Sequence, residues 1–143
     1  MQTSRRFSIA THVLLCLRAF RDLKATSVFL AGSVNVHPVV VRNVLGRLKR
    51  AGLVAVAAGT GGARLAREPR AITLLDIYRA VEDHRDGLFA FHDHPNPRCP
   101  VGKHIRGVLE DHLRTAQRRM EASLAQTTLA DIEKEWRALR PKI

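Results

Sequence analysis

The sequence predicts a mainly α-helical fold with one small β-hairpin and a long C-terminal helix. Three observations carry this. Within residues 38–50, Val41, Val44, Leu45 and Leu48 recur at the i, i+3, i+4, i+7 spacing of a helix with one apolar face. Directly after it, two short apolar runs, 53–57 and 63–66, flank Ala58-Gly59-Thr60-Gly61-Gly62, whose glycines admit the positive φ of a tight turn. From Val101 onward, Ile105, Leu109, Ala116, Met120 and Leu124 keep a helical spacing, with Val108 and Leu113 widening the stripe.

Taken in order, residues 4–20 form an amphipathic helix with Ser4 as its cap. Cys16 lies in its apolar stripe as a small buried hydrophobe, His12 lies off it, and Arg5, Arg6 and Arg18 are read either as phosphate contacts or as a solvated helix end. Ser27 is read as the cap of a short second helix through Leu30 and Ala31, and Gly32 to His37 as the turn. Pro38 suits the first turn of the next helix, where its missing N–H costs nothing, and Ala51-Gly52 stops that helix. Two helices joined by a turn and followed at once by a hairpin make a winged helix-turn-helix. The outward face of its second helix carries Val39, Asn43, Gly46 and Arg50, flanked by Arg42 and Arg47. Small and basic side chains on one face suit a DNA groove. Arg64 and Arg67 flank Leu65 on the returning strand, within reach of a DNA backbone, and Glu68-Pro69 ends the strand.

A fourth helix follows, with a T-x-x-D capping pattern at Thr73 and Asp76 and an inward face of Leu74, Ile77, Tyr78 and Val81. Residues 83–100, rich in proline, histidine and aspartate, break regular structure. The long helix, roughly 40 Å at 1.5 Å per residue, exceeds what one small winged helix covers. Part of its stripe is therefore expected to meet a second copy of the chain. Thr128 caps a last helix bearing Leu129, Ile132, Trp136 and Leu139, which either folds back on the long helix or crosses over. The resulting division is a DNA-binding winged helix-turn-helix at 1–83, a sensor linker at 84–100 and dimerisation helices at 101–143.

The net charge of +11 is unevenly spread: residues 1–70 supply +10 and residues 71–143 only +1. The excess coincides with the recognition-type helix, which favours double-stranded DNA over a soluble metabolite as the main partner. No run approaches the ~18 apolar residues of a membrane span, and no signal-peptide cleavage site is evident, so a cytoplasmic location without a membrane partner is expected. Nucleophile-elbow, Walker and zincin motifs are absent, and the chain is not expected to be an enzyme.

Cys99 stands between Arg98 and Pro100, immediately before the long helix, with Lys103 and His104 in the first turn. A helix N-terminus and nearby cations lower a thiol's pKa, so Cys99 is read either as a redox-sensing thiol or as an ordinary helix-start cysteine. Oxidation would give a sulfenic acid, a mixed disulfide or an intersubunit bridge. His84, His92, His94 and His104 surround it together with Asp93, but the spacing H-x-H-x4-C-x4-H fits no structural zinc template. A metal-responsive regulator using Cys99, His92, His94 and His104 is one alternative, and a thiol enzyme using Cys99 is another, which lacks a recognisable general base.

The helix-turn-helix ending in L-x-R-A-G-L-V, the glycine-glycine wing, I-T-L-L-D-I-Y-R-A-V, the cysteine-bearing linker and the long helix together resemble the Rrf-two family of winged-helix transcriptional regulators over nearly the whole chain. A-G-T-G-G-A-R-L-A and H-P-N-P-R-C-P-V-G-K-H-I resemble its YwnA-like branch most. The resemblance implies a homodimer, with the long helix as seam and recognition helix and wing on a pseudo-palindromic operator, usually acting as a repressor. It assigns DNA contact to Ser27, Val39, Arg42, Asn43, Arg47, Gly61, Gly62 and Arg64. Members holding an iron–sulphur cluster use three closely spaced linker cysteines, whereas Cys99 stands alone here, and no cofactor is expected. The wing departs from the family pattern R-G-x-x-G-G-Y, with Ala57 or Ala58 in place of the arginine and Ala63 in place of the aromatic.

Overall fold

A computed structural model describes residues 5–59, 62–83 and 87–139. The chain forms α1 (Arg6–Ala19), α2 (Ser27–Val34), α3 (Pro38–Arg50), β1 (Val54–Val56), β2 (Ala63–Leu65), a 3-10 turn (Pro69–Ala71), α4 (Leu74–Val81), α5 (Pro100–Leu124) and α6 (Leu129–Leu139). The mainly helical winged helix-turn-helix with a long C-terminal helix is thus the observed architecture.

α1 buries Ala10, Val13, Leu14, Cys16 and Leu17. Ser4 lies outside the described residues, and Arg5 stands at the cap position without a side-chain hydrogen bond. The second helix is capped by Thr26, not Ser27: Thr26 is extended, and its Oγ1 accepts the Phe29 N–H at 3.1 Å. Ser27 is already helical, so its hydroxyl is not the cap. The turn is also shorter than Gly32 to His37. α2 continues through Gly32 to Val34, and Asn35 adopts the left-handed conformation (φ 62°), its N–H bonding the Ala31 carbonyl at 2.8 Å. Asparagine tolerates that conformation, so no glycine is required to end the helix.

The axes of α2 and α3 turn through 109°, as in helix-turn-helix units. Pro38 occupies the first turn of α3, and His37 Nδ1 accepts the Val39 N–H at 3.1 Å. Val41, Val44, Leu45 and Leu48 are all buried. Gly52, at φ +76°, follows the end of the helix.

β1 and β2 pair antiparallel, with Val54 opposite Leu65 and Val56 opposite Ala63. The strands are shorter than the apolar runs because Leu53 turns into the core. Gly62 has φ +74°, and a Cβ there would stand 3.1–3.3 Å from the Ala25 backbone. Its missing side chain lets the wing lie against the segment before α2, where the Ala63 N–H donates to the Ala25 carbonyl at 3.0 Å.

Thr73 and Asp76 form the expected reciprocal cap of α4 at 3.0 and 2.9 Å, with Ile77 and Val81 in the core. The last helix crosses over rather than folding along α5. Leu74 N–H bonds Thr127 O at 2.9 Å, Leu129 N–H bonds Ile72 O at 2.7 Å, and Leu129 is fully buried. Farther along α6, Glu133 receives Arg18 Nε on both carboxylate oxygens at 3.0 and 3.1 Å and Arg137 Nη2 at 2.8 Å. Arg18 is therefore taken up by α6 and is not available to phosphates. Burial pushes the Glu133 carboxyl up, but the hydrogen bonds from Arg137 and Arg18 outweigh it and hold the group below the ordinary value.

α5 is the exception to this packing: its 25 residues include none that is buried. It rests on α4, and the linker runs antiparallel beside it. Leu88 N–H bonds Gln117 Oε1 at 3.2 Å, Phe91 stacks with the Arg106 guanidinium at 4.9 Å, and Asn96 sits over Gly102, where a Cβ would come within 2.5 Å of the Asn96 carbonyl oxygen. Val101 and Val108 remain 69% and 60% exposed.

Candidate nucleic-acid interface

Because the apolar stripe of α3 is used up in the core, the opposite face is presented outward. Val39, Arg42, Asn43 and Arg50 are exposed on it, while Gly46 and Arg47 are half-buried. Arg42 and Asn43 thus offer a guanidinium and an amide, the two groups best suited to bidentate contact with guanine and adenine edges. Arg47 stands closer to the body of the protein. Arg64 is exposed on β2, opposite Ala55 in the register. Ser27 is half-buried in the first turn of α2, and Gly62 is half-buried at the base of the wing. Gly61 lies outside the described residues.

Between α3 and the wing runs a cleft of about 530 Å³. Arg42, Gly46 and Lys49 form one wall, Val56 and Gly59 the other, and Lys24 to Ser27 the floor. Arg42 and Lys49 bring two cations to the wall of this cleft and Lys24 a third to its floor, so its field attracts phosphate. The assignment of site residues from sequence missed Lys24 and Lys49. Lys49 follows Arg42 by seven residues, two helical turns, and that offset could have found it. Lys24 carries no local signal: only the contact of Ala25 with Gly62 and Ala63 brings its segment beside the wing.

The second candidate site, at the start of α5, is separate. Cys99 is the exposed N-cap residue, anchored by its N–H to Asn96 O at 3.2 Å and by its carbonyl to the Lys103 N–H at 2.9 Å. No side-chain capping bond is formed, yet the N–H groups of Gly102 and Val101 face the sulphur closely enough to lower the thiol below its ordinary pKa of 9.0. His92, His94 and His104 are exposed, and His94 has φ 54°. The structure does not gather Cys99, His92, His94 and His104 into a metal-binding set: no group of three or more His, Cys, Asp or Glu side chains is placed to hold an ion among the described residues. His84 lies outside them. An iron–sulphur cluster does not fit this donor set either, since Cys16 is buried in α1 and Cys99 alone offers a thiolate at the linker.

Comparison with known proteins agrees with this geometry. A family model described as Rrf2, iron-dependent transcriptional regulator, matches residues 3–135. The chain is 42% identical over 127 residues to a protein of Bacillus subtilis (strain 168) provisionally named HTH-type transcriptional regulator YwnA, covering 89% of this chain and 93% of that one. A solved structure provisionally described as a DNA-binding protein is 38% identical, with TM-score 0.74, covering 89% of this chain and 97% of the other. A transcriptional regulator from Lactobacillus plantarum, also provisionally so described, is 29% identical with TM-score 0.81 over 93% of this chain and 90% of its own.

Proposed function

The chain belongs to the Rrf2 family of transcriptional regulators, and on that premise we propose that it is a homodimeric, sequence-specific DNA-binding repressor. The observation that carries this reading is the joint outward face of α3 and the wing, where Arg42, Asn43, Lys49 and Arg64 stand exposed beside the cationic cleft. Arg42 and Asn43 read base edges in the major groove, Arg47 approaches the backbone, Val39 meets a thymine methyl, and Arg64 follows the wing along the phosphates. Ser27 at the start of α2 and Gly62 at the base of the wing flank this surface. Pairing two such units gives half-sites about 34 Å apart or a multiple of it.

The exposed part of the stripe on α5 supports the homodimer, because Val101, Val108 and Leu109 are not buried by any of the described residues. Cys99, exposed at the base of that helix with a lowered pKa, supports an oxidant-responsive reading. Oxidation there adds bulk or charge beside the seam and changes the separation of the recognition helices. The thiol serves as a sensor and not as a catalytic group; the family is one of transcriptional regulators rather than enzymes.

Selection from fragmented genomic DNA at near-physiological salt, before and after mild peroxide and with Cys99→Ser in parallel, tests this. Enrichment of one sequence class, lost on peroxide in the parent but retained in the variant, is expected. Enrichment indifferent to peroxide would remove the thiol switch, and no enrichment would remove the DNA reading itself.

A further inference from the structure

A cavity of about 680 Å³ opens between α1, α2, α6 and the start of α4. No residue of α5 lines it, so it is distinct from the helix whose stripe awaits a partner. Its walls are aromatic: Phe7, Phe20 and Trp136 line it, three of the seven Phe, Tyr and Trp side chains in the chain. Phe20 is propped edge-on against Phe29 of α2 at 5.4 Å.

Two of its side chains, Cys16 and His12, converge on the Ser33 hydroxyl. Cys16 Sγ donates to Ser33 Oγ at 3.2 Å, and His12 Nε2 lies 3.0 Å from the same oxygen. With the proton on Nε2, histidine and thiol together fill the acceptor capacity of the hydroxyl, and the Ser33 O–H is left to donate into the cavity. No acidic side chain is among the lining residues. A cationic ligand would find no counter-charge, whereas an acidic oxygen would find a hydroxyl donor beside an imidazole. The volume lies in the range of small-molecule sites, which combine apolar walls with a few convergent polar groups.

We propose that this cavity is a binding site for a small aromatic acid, a planar ring carrying one carboxylate or phenolic oxygen, with the ring against Phe7, Phe20 and Trp136 and the oxygen at the Ser33 hydroxyl. Nothing in this assignment depends on DNA binding. Its occupant would touch both α6 and α2, the helix that leads through Asn35 into α3.

The test uses the full chain without DNA. Trp136 is the one tryptophan, so a single indole N–H resonance reports the cavity. Titration with 1-naphthoate, with 1-naphthylmethylamine as a cation bearing the same ring system, is followed by that resonance and by calorimetry. Saturable binding of naphthoate, at least tenfold tighter than the amine, is expected. Ser33→Ala should weaken it at least tenfold, and Ala19→Leu, which fills the cavity, should abolish it while leaving the rest of the spectrum folded. Absence of saturation, equal binding of amine and acid, or binding unchanged in both variants would overturn the proposal. Because no DNA is present, failure here is distinguishable from failure of the repressor reading.

Discussion

α3 and α5 are both amphipathic helices with an apolar stripe at helical spacing, yet they meet opposite fates within one chain. Every stripe residue of α3 is buried, and Leu48 is 0% exposed; α5 buries nothing along 25 residues. The difference teaches that periodicity shows which face is apolar but not what covers it. In α3 the inner stripe is matched by α1, α2 and α4, so the polar face is what the protein presents. In α5 the linker and α4 leave Ile105, Leu113, Met120 and Leu124 half-buried, and Val101, Val108 and Leu109 stay exposed.

The comparison breaks most visibly at the proposed dimer seam on α5. Val108→Asp is expected to convert a dimer to a monomer in sedimentation equilibrium while leaving helical content unchanged; a variant that stays dimeric would show that α5 is covered by something else. Leu48→Ala should act on folding instead, costing about 3 kcal/mol in denaturant unfolding through the cavity left behind. Leu109→Ala, measured at a concentration where the chain is monomeric, should cost less than about 1 kcal/mol, since its side chain is already 38% exposed.

A smaller effect is expected at the joint that holds α6. Glu133→Gln should lower stability at neutral pH by about 1–2 kcal/mol, the partial exposure of both arginines limiting the loss. The sign with pH follows from the lowered carboxyl. Its contribution is present above the unfolded value near 4.5 and disappears as pH falls through the folded value. The parent should therefore lose this increment in acid, and the Gln variant, lacking it throughout, should show a flatter acid limb in thermal unfolding against pH.

The smallest effect sharpens the start of the helix-turn-helix. Thr26→Ala should cost about 1 kcal/mol, the value of a helix N-cap, and Ser27→Ala only a few tenths. Equal costs would reinstate Ser27 as a second cap.

These contrasts also mark what could be read before the fold was known. α3, the wing and the Thr73–Asp76 cap were legible because each depends on residues within a few positions of one another. Thr26 and Ser27 are adjacent hydroxyl residues competing for one cap, and backbone geometry alone separates them. Gly32 points to the start of the turn because glycine commonly ends helices, whereas Asn35 performs that task here. Lys24 in the cleft and Glu133 beside Arg18 depend on contacts between distant segments, for which local spacing holds no information. Among the expected DNA-contact residues, Arg42, Asn43, Val39 and Arg64 stand exposed, while Arg47 is half-buried.

The pairing of Arg18 with Glu133 spans 115 residues, and Leu129 fills the same core as Val13 and Ile77. On the ribosome, where domains form as their residues emerge, the DNA-reading half is complete in sequence long before it is complete in packing. Its first helix must wait for the last one. A chain released before residue 129 therefore lacks a piece of the core of its N-terminal half, and truncated products would carry that half incompletely packed.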